Sequence, residues 1–340
     1  MDSTVKGVHL EDLEKILSEK ISFINQVIEE IDLTRIHSVL GYPTKYMITA
    51  GGKRLRPILC ILCAEMVGGD YRKTRDAFIA LELIHNATLI HDDIIDGDQY
   101  RRGEPSVPSM FGSNVAVLTG DTLFALGLKH AADTKNTSIV KLLSETALKM
   151  VQGVALQSIN RRKIVTEKTY YQINYLKSGS LFETATALGA MIGSKEQEAV
   201  AKIAEFGKQF GNAYQIRDDI CNVFYENEQD DFSRNDLING DISLPLIYAL
   251  NSNKIREEDK KTLMEIYEGE KQNFNIEEIR RIYTEADAIK NSTDKMKEFA
   301  EKGYIIIKDY ENSEARETLE HLIKEYYFSF KPGKTHFDFI

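Results

Sequence analysis

Between Arg75 and Ile95 the chain is apolar on nearly every side. Ala77, Phe78, Ala80, Leu81, Leu83, Ile84, Ala87, Leu89 and Ile90 leave no wide polar face at the helical period. A helix of this kind must be surrounded by other helices, so the segment predicts an all-α fold around an interior helix. Val115–Leu128 has the same character, with Ser113 or Asn114 as its expected cap. Leu10, Leu13, Ile16, Leu17, Ile24, Val27, Ile28 and Ile31 step by three and four, a single stripe on a first helix. Helical periods recur over 138–160, 167–192, 196–226, 243–252, 257–268, 276–302 and 313–328, and alternating strand patterns are missing. With six prolines, no long Gly/Ser stretch and no internal repeat, nothing reads as a linker. We therefore expect residues 1–340 to form a single domain, a bundle of about ten or more helices.

Composition narrows the function. A chain that is 42% hydrophobic and 28% charged is not disordered throughout, and a formal charge of -10 argues against a general nucleic-acid binder. That charge still permits a local basic cluster for a phosphorylated small molecule. Cys60, Cys63 and Cys221 are too few for a disulfide framework. The C-x-x-C in "RPILCILCAEM" lacks a second ligand pair and reads as packing cysteines. The start, "MDSTVKGVHLEDLEKIL", has no basic block followed by an apolar one, and no apolar stretch reaches membrane-spanning length. A reducing, cytoplasmic compartment is expected.

The interior helix ends in "LIHDDIIDGDQYRRG". Asp92 and Asp96, four apart, share one face, and Asp93 lies about a hundred degrees round. Acids among isoleucines are costly unless cations occupy the space between them, and an oxygen-only set suits Mg²⁺. A solvated acidic helix end is the plainer alternative. Arg101 and Arg102 follow directly, and guanidinium forks bind phosphate in pairs of bonds, which favours a metal-bridged diphosphate. A second Asp pair, Asp218 and Asp219, sits in "GNAYQIRDDICNVF" after Tyr214 and Gln215. Alone it reads as the exposed edge of an amphipathic helix; as one of two clusters it fits metals clamped across a cavity. In "AGGKRLRPIL", Lys53, Arg54 and Arg56 follow two glycines, with Pro57 expected at the first helical position. Cations at a helix N-terminus make a phosphate site, although the spacing is not that of a P-loop. Lys177, Ser178, Gly179 and Ser180 in "YLKSGSLFETATALGA" predict a weakened or kinked helix, beside which loose packing is the bland alternative.

Taken in order, "GGKRLRP", "ELIHNATLIHDDIID", "RRGEPS", "GDTLF", "KSGSLFE" and "YQIRDD" resemble the trans-isoprenyl diphosphate synthase (polyprenyl synthetase) family over Gly51 to Leu246. The resemblance implies the isoprenoid synthase fold, helices around a central substrate cavity. It implies an enzyme, a Mg-dependent prenyltransferase condensing isopentenyl diphosphate with an allylic diphosphate (dimethylallyl, geranyl or farnesyl) head-to-tail. By position, Asp92, Asp93, Asp96, Asp218 and Asp219 would bind several Mg²⁺ ions, and Arg101 would contact the allylic diphosphate. Lys53, Arg56, His85 and Arg102 would grip isopentenyl diphosphate. Lys177, Ser178 and Gln215 would line the allylic site. An interior His such as His85 is otherwise most often simply hydrogen-bonded. The family is generally homodimeric, and the interior-looking helix near 113–128 is consistent with that.

Departures from the family pattern stand at Asn222, where a third Asp is usual, and at Phe232 and Asp241, where lysines are usual. Lost charge there is expected to weaken a third metal and the diphosphate grip, with Lys208 or Arg234 as candidate compensating cations. Ala87 and Thr88, one turn before Asp92, are small where farnesyl-making members often carry an aromatic residue, and Ile84 lies deeper. They imply geranylgeranyl diphosphate or a longer product, and Ala87→Phe is expected to shorten it. Two other readings stay open: a class I terpene cyclase, and a weakly active or regulatory subunit on the same fold. The terminal "FSFKPGKTHFDFI" carries no assignable role.

Overall fold

The computed structural model describes residues 10–194, 196–224, 236, 239–271 and 273–333. Helices α1 (Leu10–Glu29), α2 (Ser38–Thr49) and α3 (Leu55–Met66) precede α4 (Arg75–Asp96), the segment read as interior. It is interior: even Glu82 and Asn86 are buried on it. Its neighbours are α3, α6 (Ser113–Asp133), α7 (Thr137–Asn160) and α9 (Ser180–Gly193), with the short α5 (Val107–Phe111) and α8 (Glu167–Asn174) between them in sequence. The long α10 (Gln197–Phe224) packs on α9 and on Ala288–Lys308. Helices Leu244–Asn251, Glu257–Tyr267, Ile276–Glu285 and Glu314–Ile323 complete the described bundle. Buried apolar side chains from α1 to Phe330 join in one core cluster.

Several boundaries differ from expectation for physical reasons. The period over 276–302 is two helices, because Asp287 takes a left-handed φ of 55° and turns the chain between them. The cap of α6 is Gly112, with neither Ser113 nor Asn114 bonding a terminal N–H. Pro57 is the third residue of α3, which costs no bond because first-turn N–H groups have no intrahelical partner. The weak helix around Lys177 is a π-helical turn, Tyr175–Gly179, in which the Ser180 N–H reaches back to the Tyr175 carbonyl. Such turns widen a helix at functional sites.

A hairpin that the strand pattern did not announce follows α4. Gly97 ends that helix in a left-handed conformation, and β1 (Tyr100–Arg101) pairs antiparallel with β2 (Glu104–Pro105). Between them Arg102 and Gly103 have φ of 57° and 80°, the left-handed pair that a two-residue loop demands. Asn-Gly is the usual signal, and Arg-Gly hid it.

Candidate active site

A cavity of about 710 Å³ opens between α3, α4, α7, α8, α10 and the hairpin. That size suits a substrate rather than a single ion. Gly52, Lys53 and Arg56 line it from the turn into α3; His85, Thr88 and Asp92 from α4; Arg101 and Arg102 from the hairpin. Lys177 and Ser178 reach it from the π-helical turn, and Gln215, Asp218 and Asp219 from α10. Met150, Ile173 and Leu89 supply apolar wall.

Four of the singled-out residues lie outside that lining. Asp93 is buried against the hairpin and is held by Arg101, which also pairs with Asp98 at 2.9 Å. Asp96 pairs with Arg161 at the end of α7. Ala87 and Ile84 are fully enclosed in the core, and only Thr88 of the chain-length set faces the cavity.

The basic side is packed around its glycine turn. Gly51 and Gly52 have φ of 79° and 130°, and the Arg102 guanidinium lies on them, donating to the Gly51 carbonyl. A Cβ at Gly52 would fall 2.9 Å from that guanidinium. Arg54, left-handed itself, is turned inward to Asn25, Glu82 and the Ile48 carbonyl, so it fastens the loop at the edge of the cavity it also lines. Arg56 stacks over Phe182 at 4.4 Å and reaches His85 at 3.1 Å. Its Nε has no hydrogen-bond partner among the described residues. Burial lowers the pKa of Arg56 and of Arg102, and for Arg102 the neighbouring Arg54, Arg101 and Arg56 add to the effect. Burial first, then the same arginines, hold His85 well below the usual imidazole range, so it is neutral. Cations crowded against the cost of desolvation define a receptor for an anion.

Opposite charge faces them. Burial raises Asp92, which Lys177 offsets from 3.6 Å, and Lys177 also donates to Gln157 at 2.8 Å. Burial likewise pushes Asp93 and Asp218 up to about 6 and Asp219 to about 7. Three donors orient Asp219: the Tyr170 hydroxyl at 2.6 Å, the Leu244 N–H at 3.0 Å and Gln215 at 3.2 Å. Asn222 donates to Asp236, another cavity acid raised to about 6 by burial. Carboxylates kept unwillingly charged are what a cation would relieve. Among the described residues no three acidic, His or Cys side chains converge into a closed metal cage. Mg²⁺ bound through a few carboxylates, waters and substrate phosphates does not require one. The all-oxygen donor set fits that ion, as does Asp93 Oδ2, buried without a partner among the described residues.

The family model described as polyprenyl synthetase matches residues 37–286. The chain belongs to the polyprenyl synthetase family. It is 34% identical over 229 residues to a short chain isoprenyl diphosphate synthase of Methanothermobacter thermautotrophicus, covering 66% of this chain and 70% of that one. It is 30% identical over 279 residues to geranylgeranyl pyrophosphate synthase 4 of Arabidopsis thaliana, covering 75% and 74%. The geranylgeranyl pyrophosphate synthetase of Pyrococcus horikoshii superposes with a TM-score of 0.84 at 27% identity, over 93% of this chain and 98% of that one. A polyprenyl synthase of Caulobacter crescentus, complexed with calcium and isoprenyl diphosphate, gives 0.85 at 25% identity over 95% and 98%. As a polyprenyl synthetase the chain is a prenyltransferase, a reading that the relatives favour over a class I terpene cyclase or a weakly active or regulatory subunit.

Within this polyprenyl synthetase the departures take on a shape. Asp241 is paired with Arg161 at 2.9 Å, so the cation beside it comes from the end of α7. Lys208 is engaged elsewhere, with Glu205 at 3.5 Å, while Phe232 and Arg234 lie outside the described residues. Sequence reasoning missed Arg161, Gln157, Tyr170 and Asp236. All four meet the site through contacts distant in sequence, and none belongs to a spacing that would have pointed to it.

Proposed function

We propose that this cavity joins isopentenyl diphosphate to an allylic diphosphate head-to-tail, yielding a trans-polyprenyl diphosphate of geranylgeranyl length or longer. One observation carries the reading: a single cavity is lined both by Lys53, Arg56 and Arg102 and by Asp92, Asp218 and Asp219. Two diphosphates need two such sets. Lys53, Arg56, Arg102 and neutral His85 hold the isopentenyl diphosphate. Arg101, Lys177, Ser178 and Gln215 face the allylic one, and Asp92, Asp218 and Asp219 would hold Mg²⁺, joined by Asp93 and Asp96 only if these release Arg101 and Arg161. That ion, when bound, supplies neutralisation of the departing diphosphate.

The allylic carbon–oxygen bond breaks with its electron pair leaving on the diphosphate, to which Arg101 and Lys177 donate. The isopentenyl double bond attacks the allylic carbon and forms the new carbon–carbon bond. A proton is then lost to the departed diphosphate, so no side-chain nucleophile is needed. Met150, Ile173 and Leu89 keep water from the cationic carbon.

Three further features belong to the same proposal. Residues 1–340 act as one domain, supported by the continuous core. Two copies pair through α6 and α7, where Leu118, Leu128, Leu148, Val151 and Ile159 are between 48% and 64% exposed. A cytoplasmic location fits the buried free thiols of Cys60 and Cys63. No described helix is long and apolar enough to cross a membrane.

The test is incubation of the purified chain with Mg²⁺, isopentenyl diphosphate and each of dimethylallyl, geranyl and farnesyl diphosphate. Products of twenty carbons or more are expected, on the order of four isoprene units, with Mg²⁺ removal abolishing turnover. Consumption of an allylic diphosphate alone, or no condensation with any primer, would overturn the reading.

A further inference from the structure

Arg161 stands just beyond α7 and belongs to no recognised motif. Its Nη2 donates to Asp96 at the end of α4, and its Nε to Asp241 Oδ1 at 2.9 Å. The placement is enforced from behind. The Arg162 N–H donates to the Gly240 carbonyl at 2.8 Å, and Arg162 is left-handed with φ of 57°. Its side chain lies so close over Gly240 and Gly269 that a Cβ at either would fall 2.4 or 2.3 Å from it. Arg162 Nη1 also donates to the Tyr267 carbonyl at 3.1 Å. Backbone and glycine packing therefore join the turn 161–162 to the turn 240–241, and Arg161 and Asp241 must face one another.

Asp241 lines the cavity with only 10% of its side chain exposed, next to the further acids Asp236 and Asp219. An uncompensated carboxylate at that wall would repel a diphosphate, because like charges placed together across a binding surface disfavour binding. We propose that Arg161 is a positioning residue for diphosphate binding: its charge cancels that of Asp241 at the cavity wall while it holds Asp96. The inference rests on the function proposed above. It makes the arginine at the end of α7 the cation that permits an acid at position 241.

Calorimetric binding of inorganic pyrophosphate to the full chain in Mg²⁺ tests it. Arg161→Met should weaken binding about tenfold, since removing one partner leaves a buried charge unpaired. Adding Asp241→Asn to that variant should bring affinity back to within about threefold of the unaltered chain, because the unpaired charge at the cavity wall is gone, whereas Asp96, also released, lies outside the lining. Unchanged binding by Arg161→Met overturns the proposal. So does a double variant no tighter than the single one, the mark of a merely structural role. Should Arg161→Met not fold, Arg161→Lys carries the test. It keeps the charge, so affinity within about threefold is expected, and a tenfold loss would show that fork geometry rather than charge matters and overturn the proposal. If the unaltered chain does not bind pyrophosphate at all, the reading of the cavity fails, and this inference with it.

Discussion

Thr88 and Ala87 are adjacent in the chain and differently placed. Thr88 lines the cavity, donating its hydroxyl to the His85 carbonyl at 2.8 Å, whereas Ala87 is enclosed by the core. An aromatic ring at 88 enters the space the growing chain would fill. Thr88→Phe is therefore expected to shorten the product by at least one isoprene unit, read by chain-length chromatography, and an unchanged product distribution would sink this assignment. Ala87→Phe, which the sequence alone suggested, has first to find room among packed helices. Its expected effect is overpacking, at about 1–3 kcal/mol of stability.

The π-helical turn carries Lys177 into the site, and α7 holds it there. A Cβ at Gly153 of α7 would fall 2.5 Å from the Lys177 nitrogen and 2.8 Å from the Leu176 carbonyl carbon, both backbone atoms that cannot step aside singly. The same helix supplies Gln157, which accepts from Lys177 Nζ, and leads into Arg161. Gly153→Ala should thus push the turn away from Asp92. A loss of about 1–3 kcal/mol in chemical denaturation is expected, with weaker allylic diphosphate binding. A variant as stable and active as the parent would show that the contact is not tight. The hairpin works similarly, because the left-handed Arg102–Gly103 loop turns Arg101 toward Asp93 and Arg102 toward Gly51.

For the molecule as a whole, the buried acids tie stability to pH. Asp93, Asp218 and Asp236 are raised to about 6 and Asp219 to about 7, against an ordinary 3.8. A carboxyl raised on folding favours the fold while protonated, and that contribution fades as pH climbs through the raised value. His85 and His321, lowered chiefly by burial, act in the opposite sense until their unfolded forms are deprotonated at about pH 7.5 to 8, which offsets about 0.8 kcal/mol of the acids' effect above about pH 6.5. Glu298, depressed to about 2 by Lys295 and Lys302, does not titrate in that range. Without divalent cations the melting temperature should therefore fall between about pH 6.5 and 8, by the equivalent of about 0.5 kcal/mol. Mg²⁺ should restore it most at the upper end, where its carboxylates are ionised. A melting temperature that stays flat or rises with pH in metal-free buffer contradicts the assignment.

Helical period and residue chemistry are local properties, so the chain itself displays the interior helix at 75–95, the acid pairs at 92–96 and 218–219, and the basic turn at 53–56. Apolar side chains on every face of a segment leave it nowhere to go but inside. Acids spaced by one turn share a face wherever the helix lies. Boundaries set by a single backbone torsion, at Asp287 or Arg102, are not legible in this way, because nothing in those residue types demands a left-handed conformation. Nor are the partners of the acids. Asp96 and Asp241 meet across Arg161 only because two distant turns are clamped by Arg162 over two glycines. Chain chemistry alone determined the acid pairs and the basic turn that the site needs. Tertiary packing decided which of them face the cavity and which cation neutralises each acid, since an electrostatic pairing depends on distance through space and not on separation along the chain.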